Sequence, residues 1–167
     1  GIQKQGADLY TSKGDAEQWI NLTSVLEKAG LKSHMFTLGV GFSAPLYNFT
    51  GLKGLTVSLY GPTGGGKTLA QYWAQSIYGN PDKLHFAAKY TQNSLFSRLG
   101  TYANLPLTID EVTMMNDKEV GDFCYWVSQG RDKARLNRNA EERDAKTWAT
   151  PVIVSTNKSL QSKLIAS

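Results

Sequence analysis

Residues Gly61-Pro62-Thr63-Gly64-Gly65-Gly66-Lys67-Thr68 constrain this chain more than any other stretch. They match the pattern G-x-x-x-x-G-K-[ST], and the flanks are the ones that the pattern requires. Leu55–Tyr60 before it is a run of β-formers; Lys67–Tyr78 after it reads as a helix. Between a strand and a helix, glycines let successive backbone N–H groups turn inward around phosphate oxygens with no side chain in the way. The helix N-terminus adds its partial positive charge. Lys67 is then placed to reach the β- and γ-phosphates of a nucleoside triphosphate, and the Thr68 hydroxyl to ligate Mg²⁺. The motif does not separate adenine from guanine.

The rest of the chain alternates in a way that suits such a loop. A capping pair, Asp15 with Gln18, opens a helix with Trp19, Leu22 and Leu26 at helical spacing, ended by Ala29-Gly30. A second helical stretch spans roughly Leu31–Tyr47 despite its glycines. After the loop helix, Gly79-Asn80-Pro81 is a break. A short strand, Leu84–Ala88, and a helix, Asn93–Tyr102, follow. Leu105–Ile109 reads as a strand, and Asp117–Ser128 as a helix with Val120, Phe123, Cys124 and Val127 on one face. Residues 129–146 read as a charged loop or hairpin, and Ala149–Ser155 as the last strand. Strand–helix alternation implies an α/β fold, a parallel sheet flanked by helices. The expected division is an N-terminal linker and helical segment, 1–50, and a core, 51–167. Residues 1–14, polar and glycine-containing, read as a linker or frayed end.

Two strand ends carry the remaining chemistry. Leu105-Pro106-Leu107-Thr108-Ile109-Asp110-Glu111 is apolar and then doubly acidic. Asp110 is expected to hold the Mg²⁺ shell. Glu111 is expected to point elsewhere, because strand side chains alternate, and to polarise an attacking water as general base. A carboxylate directly after the Asp suits hydrolysis better than transfer to a small acceptor. Thr150-Pro151-Val152-Ile153-Val154-Ser155-Thr156-Asn157 turns abruptly polar. Asn157, with Thr156 second, is the candidate for the residue that orients the lytic water, a role called sensor 1; the same residues could instead cap a helix.

Arg131, Lys133, Arg135 and Arg138 form the other dense feature. One of them, with Arg131 and Arg135 as candidates, could be an arginine finger reaching a neighbouring subunit's nucleotide. Others could meet nucleic-acid phosphates, or the segment is a solvated loop partly neutralised by Glu141, Glu142 and Asp144. Thr91, Gln92 and Asn93 either cap a helix or restrain Glu111. Trp19, Trp73, Trp126 and Trp148 read as packing residues, with base stacking by Trp148 as an alternative. His34, His85 and Cys124 form no metal constellation and read as structural.

Composition adds bounds. With 167 residues the chain is the size of one domain, and 41% hydrophobic with 19% charged residues is ordinary for a globular protein. A single cysteine rules out an internal disulfide. The formal charge of +4 permits nucleic-acid binding without establishing it. No stretch is long and apolar enough to span a membrane. A start at Gly1 and an end soon after the last strand suggest a piece of a longer protein.

The order of Leu55–Thr68, the Tyr78-Gly79-Asn80-Pro81 stop, Leu107-Thr108-Ile109-Asp110-Glu111-Val112, and Ser128-Gln129-Gly130-Arg131 through Arg138 with Trp148 and Ser155 resembles the ATPase domain of phage and mobile-element primase–helicase or polymerase–helicase proteins. These are similar to superfamily 3 helicases and AAA+ P-loop ATPases. The resemblance covers roughly residues 50–160. It implies an ASCE/AAA+-like P-loop core that hydrolyses ATP with Mg²⁺, forms ring oligomers, often hexamers, and moves on single-stranded DNA in a host-cell cytoplasm. It also implies a primase or polymerase domain on the same chain. In its terms Lys67 and Thr68 belong to Walker A, Asp110 and Glu111 to Walker B, Asn157 is sensor 1, and Arg131 or Arg135 is the finger. A DNA-packaging or other translocating ATPase, and a nucleotide-dependent loader or switch that binds a partner protein, are the alternatives.

Overall fold

The computed structural model describes residues 9–87, 91–132, 135–136, 142–143 and 145–165. In chain order the elements are α1 (Ala16–Lys28), α2 (Lys32–Ser43), α3 (Tyr47–Thr50), β1 (Gly54–Tyr60), α4 (Lys67–Ser76), α5 (Pro81–Leu84), β2 (His85–Ala87), α6 (Gln92–Tyr102), β3 (Leu107–Asp110), α7 (Asp117–Gln129), β4 (Arg135–Leu136), β5 (Glu142–Arg143), β6 (Thr150–Thr156) and α8 (Leu160–Ile165). Four strands form one parallel sheet in the order β1-β6-β3-β2. The expected α/β architecture is the observed one. Among the described residues after α7, Arg135–Leu136 pairs antiparallel with Glu142–Arg143, β4 with β5.

Several boundaries differ from the sequence reading. Leu84 is not in a strand: Asn80 Oδ1 accepts from the Asp82 N–H at 3.0 Å and Pro81 takes the first helical position, so a single helical turn forms first. The strand expected over Leu105–Ile109 starts at Leu107, past Pro106, which has no N–H to give the ladder. The second helix breaks at a 3-10 turn, Ala44–Leu46, around Pro45. Leu9 and Tyr10 are not a frayed end. Leu9 O accepts from the Asn80 N–H at 3.3 Å, and the Tyr10 ring meets Tyr102 edge-on at 5.9 Å.

Glycine decides how α2 meets the core. A Cβ on Gly41 would lie 3.1 Å from the Ala74 Cβ and 3.0 Å from Ile77 Cδ1, so the bare backbone allows α2 to lie directly against α4. Tyr78 Oη donates to Gly41 O of α2 at 2.8 Å, and two bonds tie α1 to α4: Trp19 Nε1 to Ser76 Oγ at 2.8 Å and Trp73 Nε1 to Thr23 Oγ1 at 2.9 Å. Trp73 and Ile77 thus face the N-terminal helices rather than the sheet, and Leu69 stays exposed.

The face of α4 on the sheet is Ala70, Gln71, Ala74 and Gln75, all buried. Small residues bring the helix close, and two amides bond the strands beneath. Gln71 Nε2 donates to Ile109 O and Ile153 O, each at 3.0 Å, so one side chain spans β3 and β6. Replacing a buried donor by an apolar group costs about 1–2 kcal/mol. Gln71→Met should therefore lower the melting temperature by about 3–6 °C for a chain of this size, measured by calorimetry.

On the other side of the sheet, α6 and α7 supply Leu95, Phe96, Leu99, Val120, Phe123 and Val127 to one buried cluster. Trp148 belongs to it. Its ring lies 5.9 Å from Phe96 at 5° and its Nε1 donates to Val127 O at 3.1 Å. At 3% exposure it cannot stack a base. Cys124 is half-buried, and burial pushes its thiol pKa up. Among the described residues no helix is long and apolar enough to cross a membrane.

Candidate functional site

The C-terminal ends of β1, β6 and β3 lie side by side because β6, last in sequence, inserts between the other two. In open α/β sheets that edge is where ligands bind. Here it opens into a cleft of about 320 Å³ lined by residues 63–69 with Asp110, Glu111, Ser155, Thr156 and Asn157.

The loop after β1 turns on glycines at positive φ: Gly64 at 84° and Gly66 at 75°, the latter the residue that caps α4. A side chain at either would be strained. Lys67 folds back across the loop. Its Nζ donates to Gly61 O at 2.8 Å, Pro62 O at 3.0 Å and Asn157 Oδ1 at 3.3 Å. Behind the loop, the His34 ring Nε2 lies 3.1 Å from Gly66 O. A carbonyl cannot donate, so this nitrogen carries the proton. His34 is thus structural, as expected, but not isolated: it braces α2 onto the loop.

Asp110 ends β3, and Thr68 Oγ1 donates to its Oδ2 at 3.2 Å. Ser155 Oγ donates to Oδ1 of the same carboxylate in a short bond. A hydroxyl and a carboxylate this close are the hard oxygen donors that Mg²⁺ takes, so the residues fit that ion. The described residues hold no cluster of three or more His, Cys, Asp or Glu side chains suited to a metal.

For Glu111 the structure replaces the reason, strand alternation, because the strand has already ended at Asp110. Glu111 is left-handed, with φ 58° and ψ 45°. For a residue with a Cβ that costs about 1–2 kcal/mol. Ser155 Oγ stabilises the kink by accepting from the Glu111 N–H at 3.0 Å. The kink turns Glu111 into the cleft, where its Oε1 accepts from Asn157 Nδ2 at 2.9 Å. One amide, Asn157, therefore bridges Lys67 and Glu111. Thr156 is buried and donates to Lys158 O at 2.5 Å instead.

Other candidates lie elsewhere. Thr91 caps α6, accepting from the Ser94 N–H at 3.3 Å, and Gln92 Nε2 donates to Glu119 O at 2.8 Å. Arg131 bridges Thr147 just before β6 begins. That is the opposite end of a seven-residue strand from Asn157, roughly 20 Å away. The Arg135 side chain, Lys133, Arg138, Glu141 and Asp144 lie outside the described residues. Two residues that the sequence did not assign to the site stand beside Asp110, Ser155 and His85. The signal for Ser155 was its register: Val154 pairs with Ile109, so Ser155 falls beside Asp110. His85 Nε2 lies 3.8 Å from Asp110 Oδ2 and its Nδ1 3.0 Å from Thr108 Oγ1. Burial holds its pKa below the usual imidazole value, against the pull of Asp110.

A family model described as "Domain of unknown function (DUF927)" matches residues 2–147. None of the curated proteins compared with the chain matches it. Among solved structures the chain is similar to SCCmec type IV Cch, described as an active helicase, at 23% identity and a TM-score of 0.69, over 92% of this chain and 29% of that one. At that identity the likeness is one of fold. A looser likeness, TM-score 0.45 and 16% identity over 93% of this chain and 39% of that one, is to NtrX from Brucella abortus in complex with ADP. The chain thus spans well under half of either protein's length.

Proposed function

We propose a nucleotide-dependent motor function for this chain, which belongs to the DUF927 family: it is the ATP-hydrolysing core of a replicative helicase of the phage or mobile-element primase–helicase kind. The observation that carries the reading is the Lys67–Asn157–Glu111 bridge facing the Thr68–Asp110 pair across one cleft. A cation, an amide, a carboxylate and a hard-metal pair around a glycine cradle are the groups that hydrolysis of a triphosphate calls for.

The triphosphate lies along residues 61–68, with backbone N–H groups and the start of α4 on its oxygens. Lys67 leaves the Gly61 and Pro62 carbonyls for the β- and γ-phosphates. Thr68 and Asp110 would hold Mg²⁺, which would supply positive charge to neutralise those oxygens. Asn157 orients a water in line with the γ-phosphorus, and Glu111 takes its proton. The new P–O bond forms as the β–γ bridge breaks, leaving ADP and phosphate. Arg131, too far to serve its own cleft, would complete a neighbour's in a ring, in the cytoplasm of a host cell. The positive net charge suits a single-stranded DNA track.

Turnover with and without single-stranded DNA tests the reading. A motor is expected to hydrolyse ATP several-fold faster with DNA present. Flat, very slow turnover supports the loader or switch. In mixtures with the wild type, Arg131→Ala should depress activity more than in proportion to its share if it acts across an interface.

A further inference from the structure

His85 has no part in the mechanism above, yet it sits against it. It is in register with Thr108 on the neighbouring strand, and Thr108 and Asp110, two apart, share one face of β3. The ring is almost buried, 10% exposed, and its edge packs on Tyr72 at 5.0 Å.

The groups on its two sides favour one tautomer. Gln75 Nε2 donates to Pro106 O at 2.9 Å and to Thr108 Oγ1 at 3.2 Å, which leaves the Thr108 hydroxyl able either to donate to or to accept from His85 Nδ1 at 3.0 Å. The Asp110 carboxylate, which can only accept, faces Nε2, so we take the hydrogen to lie on Nε2 and Thr108 to donate to Nδ1. A neutral imidazole that accepts at Nδ1 carries its hydrogen on Nε2. That N–H faces Asp110 Oδ2 at 3.8 Å, a gap that a small turn of the carboxylate closes.

Asp110 then has a donor that cation binding does not remove. Its Oδ1 is held by Ser155, and its Oδ2 faces Thr68 and His85. Thr68 must turn its oxygen to the cation, so its bond to Oδ2 is lost on loading. We infer that His85 is a positioning residue: through the relay Gln75–Thr108–His85 it fixes the Asp110 carboxylate in the orientation that receives Mg²⁺. The inference rests on the ATPase reading. Partners of this kind, one bond behind a metal ligand, change metal affinity about 10–100-fold when removed.

The test compares two substitutions. The amide nitrogen of Gln reaches the Nε2 position of His, whereas Asn reaches only the Nδ1 position. Mn²⁺ affinity is measured by electron paramagnetic resonance on protein loaded with a non-hydrolysable ATP analogue. Metal-free analogue affinity and melting temperature are measured beside it. His85→Asn is expected to weaken Mn²⁺ about tenfold, with metal-free affinity unchanged and His85→Gln close to wild type. Equal loss in both variants, or no loss in His85→Asn, overturns the inference and leaves the ATPase reading standing. Wild-type protein that binds no nucleotide with Mn²⁺ overturns both. Should His85→Asn not fold, the imidazole ¹H–¹⁵N spectrum of metal-free wild type decides: the Nε2–H form is expected, and the Nδ1–H form overturns the relay.

Discussion

Lys67→Ala is expected to weaken nucleotide binding by about 100-fold or more, read by isothermal titration calorimetry with Mg²⁺ and either ATP or GTP. The magnitude follows from what Lys67 does. Its ammonium reaches Gly61 O, Pro62 O and Asn157 Oδ1 from one position, so its natural reach covers the space in front of the loop. A hydrogen bond to a charged group contributes about 1.5–3 kcal/mol, and two such bonds to phosphate oxygens exceed the ~2.7 kcal/mol that a 100-fold loss represents. The fold should survive, because Lys67 bonds only the loop and Asn157 and none of the buried cluster. An affinity equal to wild type would mean that the cleft does not hold a triphosphate, and the ATPase reading would fall with it.

Glu111→Gln is expected to keep nucleotide affinity and lower kcat by about 10²–10⁴-fold, the range for removing a general base. Gln keeps a side-chain oxygen for Asn157 Nδ2 and the N–H that Ser155 accepts. It is also no more strained than Glu at a left-handed position. What is lost is the capacity to take a proton from water. A steady-state phosphate-release assay beside an equilibrium binding measurement separates the two effects. Full turnover in this variant would remove Glu111 from the chemistry, and tighter binding with slow turnover would support it.

Much of the candidate site was legible in the sequence. The glycine pattern with Lys67 and Thr68, the apolar run into Asp110-Glu111, and the polar end of the last strand are local signals, each written in consecutive residues. Asn157 was placed by its order along the chain. What escaped notice depends on neighbours distant in sequence. Ser155 matters because β6 lies beside β3, His85 because β2 places it in register with Thr108, and His34 because α2 lies over the loop. Each looked solitary in the sequence because its partner is a backbone group or a side chain 23 or more residues away.

By itself, the sequence determined the glycine-rich turn between β1 and α4 and the alternation that makes the sheet parallel. Backbone freedom at glycine and side-chain periodicity act over a few residues and survive being read in a line. Only the tertiary structure decided that Glu111 enters the cleft through a left-handed kink, that α4 faces the sheet with Gln71 and Gln75, and that Trp148 packs rather than stacks a base. Those outcomes depend on which strands become neighbours. Strand order is set by burial and hydrogen bonding summed over the whole chain, and no single stretch of residues encodes that sum.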